Sequence, residues 1–99
     1  MAKDDQRRSP RVTVDLPARI RTRTVSFDGR ARNLSPAGML FLGGATPDHD
    51  ARVEIDLPDG PCALLAEVRW CVEGAAGVHF TERGNRRLMN FVMERAHID

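Results

Sequence analysis

Two short patterns in this chain carry residue types suited to holding an anion. Arg7-Arg8-Ser9-Pro10-Arg11 sets Arg7 and Arg11 in an R-x-x-x-R spacing, and Asn33-Leu34-Ser35-Pro36-Ala37-Gly38 reads N-x-S-x-x-G. A guanidinium is permanently charged, and its planar fork of donors matches phosphates and guanine edges. Asn and Ser add an amide and a hydroxyl, and Gly lets a backbone come close to a ligand. In an extended segment, residues four apart lie about 13 Å from one another. Two guanidiniums at that spacing reach different parts of one ligand. Together the patterns imply a clamp for a small anionic nucleotide.

Those side chains need elements to position them. Residues 1–11 are polar and charged with almost no apolar content, so they are expected to form a flexible basic arm when alone. Pro10 biases Ser9 towards extended backbone. Val12, Val14 and Leu16 alternate with Thr13 and Asp15, a strand pattern. From Ala18 to Val25, Ala18, Ile20, Thr22 and Thr24 alternate with Arg19, Arg21 and Arg23, a half-buried strand with a basic outer face. Asp28-Gly29 is a strong hairpin signal, with Arg30 to Leu34 returning as a strand. Ser35 to Gly38 turns into a strand over 38–42. Further strands are expected at Val53–Leu57, Ala63–Val72 and Gly77–Phe80, the last two joined by a turn over Glu73–Ala76.

About six or seven short strands at this spacing predict a small antiparallel β-barrel or sandwich. The period then changes. Leu88, Phe91, Val92 and Arg95 recur at helical spacing with Met89, Met93 and Ala96 beside them, and Asn85 is a candidate N-cap. A helix over about 84–97 is expected to close one end of the barrel. The domain reading is an arm over 1–11 and a barrel with its helix over 12–99.

Composition narrows the function classes. A chain of 99 residues with 41 % hydrophobic content supports one small core. No apolar run reaches membrane-spanning length, and the first residues lack the apolar stretch of an export signal, which implies a cytoplasmic protein without membrane insertion. Cys62 and Cys71 match no metal spacing and read as reduced thiols. His49, His79 and His97 have no acid or thiol partner at a metal or triad spacing, and no phosphate-binding glycine loop is present. No catalytic residue, metal ligand or cofactor is therefore assigned, and the protein is read as a non-enzyme. The net charge of +1 hides an asymmetry: residues 1–32 hold nine Lys/Arg and four Asp/Glu, while residues 48–73 hold two and seven. The basic end is the expected anion-binding face, and the acidic middle argues against wrapping long nucleic acid.

The two motifs, in this order, together with Ala66-Glu67-Val68-Arg69-Trp70, Gly77-Val78-His79-Phe80 and a terminal helix, resemble a PilZ domain, the bacterial receptor module for cyclic di-GMP. The resemblance covers nearly the whole chain. It implies a β-barrel in which Arg7 and Arg11 grip phosphate and guanine, with Arg8 as an added charge able to stack on a base. Asn33 and Ser35, two apart on one strand face, would meet the same ligand, and Gly38 would supply an unusual φ or a close approach. Trp70 alternates with Val68 and Val72, which fits a core position. The resemblance sets a residue of this strand at the border of the nucleotide, so Trp70 joins the candidate contacts. The implied partners are cyclic di-GMP and an unidentified downstream protein, with no DNA or RNA. The competing readings are a PilZ-like interaction adaptor that binds no nucleotide, and a small single-stranded nucleic-acid-binding barrel. The second lacks an aromatic platform, with four Phe, one Trp and no Tyr.

Overall fold

The computed structural model describes residues 12–58, 60–82 and 85–98, with side chains up to residue 95. Arg7, Arg8 and Arg11, and with them the arm, lie outside the described residues. The remainder is mainly β: strands β1 (Val12–Arg21), β2 (Ser26–Leu34), β3 (Gly38–Gly43), β4 (Arg52–Asp56), β5 (Leu64–Val72) and β6 (Ala75–Phe80), then helix α1 (Arg86–Ile98). The strands close into an antiparallel barrel in the order β1-β2-β3-β6-β5-β4, with β4 pairing back onto β1. Closure leaves no free sheet edge.

Period-two alternation explains the interior. Ile20, Ala31, Phe41, Ile55, Val68 and Ala76 are fully buried, while Arg19, Arg30 and Arg52 between or beside them face outward. Helix α1 covers one end. The side-chain oxygen of Asn85 accepts from the Leu88 amide at 3.0 Å, capping the first turn as expected. Leu88, Phe91 and Val92 enter the core. Met89 and Met93 stay exposed, so the buried face is narrower than the sequence suggests.

The first hairpin differs from expectation. Val12–Leu16 and Ala18–Val25 are not two strands but one strand that ends at Arg21, and the turn falls at Thr22–Val25. The Thr22 amide donates to the Val25 carbonyl at 2.8 Å, and Thr22 Oγ1 accepts from the amides of Thr24 and Val25. Asp28-Gly29 lies inside β2, with Ala18 opposite Gly29 and Arg19 opposite Asp28. Gly29 is there for space: a Cβ would strike the Phe41 ring and the Leu42 carbonyl oxygen. A buried aromatic of the neighbouring strand, packed over Gly29, outweighs a local turn preference. Likewise the β5–β6 turn is only Glu73–Gly74, with Gly74 at φ 82°, and Ala75 and Ala76 already belong to β6.

Candidate functional site

A groove of about 430 Å³ opens on the outside of the barrel where the β2–β3 turn meets β5 and β6. That volume falls within the common range for small-molecule sites, about 300–1,000 Å³. Asn33, Ser35 and Gly38 line one side; Arg69 and Trp70 line the other; Gly77 and His79 form part of the floor between. Four of the expected contacts, Asn33, Ser35, Gly38 and Trp70, thus converge on one concavity.

The turn is built by its own side chain. Ser35 Oγ accepts from the amides of Ala37 at 3.1 Å and Gly38 at 3.3 Å. The Ser35 amide donates to the Gly38 carbonyl at 2.9 Å, and the Phe80 amide donates to the Ala37 carbonyl at 2.8 Å. Strand β2 has already ended at Leu34, so Ser35 does not continue the face that carries Asn33. Asn33 is exposed and Ser35 is buried. The hydroxyl first fixes the turn, as Ser side chains commonly do. Gly38 has no left-handed φ; of the two reasons foreseen for it, close approach is the one that applies. A Cβ there would collide with the Val78 carbonyl oxygen across the β3–β6 ladder.

Trp70 is not a core residue. The β5–β6 register slips between Val68 and Trp70: Val68 faces Val78, yet Trp70 faces Gly77, leaving Arg69 as the extra residue of a β-bulge. Val68 is fully buried, whereas Trp70 is 45 % exposed and Val72 is exposed beside it. Beyond the bulge the inward position passes to Cys71, which packs on the core. The indole lies over Gly77, where any Cβ would collide with it. A glycine opposite a tryptophan thereby creates a seat for the ring and leaves the other ring face outward.

Arg69 and His79 were not singled out by sequence reasoning. Both are exposed groove residues. A two-residue turn at Glu73–Gly74 would have exposed the signal, because it pairs Trp70 with Gly77. Among the described residues, Arg69 is the one permanently charged side chain lining the groove. No group of three or more metal-ligating side chains occurs among the described residues, and Cys62 and Cys71 are free thiols.

The basic outer face of β1 has another fate. Arg19 Nε lies 2.7 Å from Asp28, and Arg21 lies 2.7 Å from Asp56 and 2.9 Å from Glu54. Arg30 lies 2.8 Å from Asp15, and the Arg32 side chain donates to the Val14 carbonyl at 3.1 Å. The Arg21 hydrogen bond holds the Asp56 carboxyl below the usual aspartate range. Partial burial opposes this, and the Ala63 amide, donating at 2.7 Å, adds to the lowering. Asp15 is lowered by its bond from Arg30. The expected anion-binding face is, over β1, a set of closed ion pairs.

The fold is thus a small closed barrel with an open groove, a seated aromatic and a glycine-tight turn. The model of the PilZ domain family matches residues 5–94, and the chain belongs to that family. No curated protein matches the chain. PilZ domains are binding and adaptor domains, and the matched span includes both the R-x-x-x-R and the N-x-S-x-x-G segments. Among the described residues, no helix is long and apolar enough to cross a membrane.

Proposed function

We propose that this protein is a cyclic di-GMP receptor that reports ligand level to a protein partner. The observation that carries the reading is the convergence of Asn33, Ser35, Gly38 and Trp70 on one groove in a chain whose family-matched span also holds Arg7, Arg8 and Arg11. The ligand is dianionic and carries two guanines. The exposed face of Trp70 suits base stacking, Asn33 suits hydrogen bonding to a polar edge, and the arm supplies phosphate-binding guanidiniums. In this mechanism the ligand docks on the groove and Arg7 and Arg11 fold over it, so that a mobile arm becomes ordered. The partner senses the changed arm. No metal, cofactor or catalytic step is involved, and the protein acts in the cytoplasm.

A single-stranded nucleic-acid barrel is less well supported, since Phe41, Phe80 and Phe91 are buried and Phe27 packs on the core, leaving Trp70 as the one large aromatic in the groove, with only the His79 imidazole beside it. Calorimetric titration with cyclic di-GMP, GTP and a single-stranded oligonucleotide tests the reading. Saturable binding of cyclic di-GMP alone is expected. Binding of none of the three leaves the interaction-adaptor reading in its place. Backbone NMR relaxation of residues 7–11 with and without cyclic di-GMP tests the arm mechanism: rigidity in the free protein, or undiminished motion at saturation, overturns it.

A further inference from the structure

We infer that Arg69 is a second anion grip of the groove, carried by the barrel itself and set against the wall opposite Asn33 and Ser35. The inference rests on the cyclic di-GMP reading and adds to it a contact outside both sequence motifs.

Three observations carry it. First, the bulge. Strict alternation after Val68 would point Arg69 out and Trp70 in; the register slip presents both consecutive side chains on the outer surface at the groove. Bulges re-aim side chains in this way, often beside binding sites. Second, availability. The Arg19, Arg21 and Arg30 guanidiniums each have a carboxylate within 2.9 Å, but among the described residues Arg69 approaches only Glu67, at 3.9 Å, and its side chain is 61 % exposed. At that distance the pair makes no hydrogen bond, so the donor fork is free to turn to a ligand. Third, charge balance. Asn33, Trp70 and the turn contribute no net charge, and Arg69 is the one fixed cation among the described lining residues. A dianion in this groove meets its nearest barrel-borne counter-charge there. Glu67, 32 % exposed on its side chain and opposite His79 in the β5–β6 ladder, competes with the ligand for that guanidinium.

The test is a set of cyclic di-GMP titrations at fixed salt on six proteins: wild type, Arg69→Ala, Arg69→Lys, Glu67→Gln, the Arg69→Ala/Glu67→Gln double variant and Arg52→Ala. Arg69→Ala is expected to weaken binding about tenfold or more, as loss of a charge-assisted contact does. Arg69→Lys, which keeps the charge and loses the fork, falls between. Glu67→Gln tightens binding, and most of that gain vanishes in the double variant because its cause is the freed arginine. Arg52→Ala removes an exposed charge on β4, outside the groove, and should change affinity by less than about twofold. If Arg69→Ala binds like wild type, or no worse than Arg52→Ala, the grip is overturned while the receptor reading stands. Equal gains from Glu67→Gln with and without Arg69 also overturn it, since Glu67 then repels the ligand directly. If the wild type binds no cyclic di-GMP, the receptor reading fails and this inference falls with it. Arg69 is exposed, so unchanged thermal melting is expected for every Arg69 variant.

Discussion

Around β1, Arg19 lies 2.7 Å from Asp28 of β2 and Arg21 lies 2.7 Å from Asp56 of β4, whereas on the β5–β6 face Arg69 lies 3.9 Å from its nearest acid among the described residues. Both faces carry exposed arginines on regular strands, and their roles still separate. The cause is register. Pairing β1 with β2 sets Arg19 opposite Asp28, and pairing β1 with β4 sets Arg21 opposite Glu54 and beside Asp56, so for Arg21 the acidic middle of the chain folds onto its basic beginning. Charge blocks that look like opposite poles in the linear chain neutralise one another across a ladder. On β5 the bulge removes Arg69 from such a pairing and turns it to a groove. Arginine count therefore says little about anion binding in a barrel; the identity of the cross-strand neighbour says much.

The contrast predicts a double dissociation. The largest effect belongs to the arm: Arg11→Ala, and equally Arg7→Ala, is expected to cost about 2–4 kcal/mol of cyclic di-GMP affinity. Their melting temperatures should stay at the wild-type value, and a lowered one would make the arginine structural. Arg21→Ala should behave in the opposite way, lowering stability towards urea while leaving ligand affinity unchanged. Loss of affinity there would mean that the paired face also binds.

Gly38→Ala is expected to cost roughly 1–3 kcal/mol of stability, because the added Cβ meets backbone that cannot move aside cheaply. Affinity should fall with it, since the same ladder sets the groove floor. Chemical denaturation and titration of the one variant distinguish a groove-forming glycine from a bystander.

Asp56→Ala should cost about 1–2 kcal/mol, as Arg21 and the Ala63 amide lose their shared acceptor. Ala63 sits at φ 55°, a left-handed conformation that Asp56 helps to hold. Ser35→Ala should cost about 1 kcal/mol through the turn, with a loss of affinity that follows from the misplaced Ala37 and Gly38 amides.

The smallest effect is in pH. Asp56 and Asp15 have folded pKa values below their unfolded ones. Their contribution is thus complete above the unfolded aspartate value of about 3.9. It is lost as pH falls through the lower folded values. Urea midpoints measured from neutral pH down to about pH 2.5 should drop less in Asp56→Asn than in wild type. An identical drop would show that the β1–β4 pairs contribute nothing to stability.

What could be read without coordinates was whatever depends on neighbours in the chain. Alternation along Val53–Glu54–Ile55–Asp56 marks a half-buried strand because side-chain direction on a strand has a period of two. The Asn85 cap followed from the helical period that begins at Leu88. The order and spacing of the two motifs pointed to the PilZ family, whose model matches residues 5–94. What the tertiary structure decided depended on neighbours across the barrel. Asp28-Gly29 is a strong turn signal locally, but Phe41 needs the empty space over Gly29, so the chain turns at Thr22–Val25 instead. Trp70 belongs to an inward series by spacing, and one extra residue in the ladder brings it out onto Gly77. Ser35 reads as a ligand donor in the chain; the fold adds a second role, the brace of its own turn. Arg69 is indistinguishable from Arg19 in the sequence; register gave one a carboxylate and left the other facing the groove, and register is fixed only when all the strands close together.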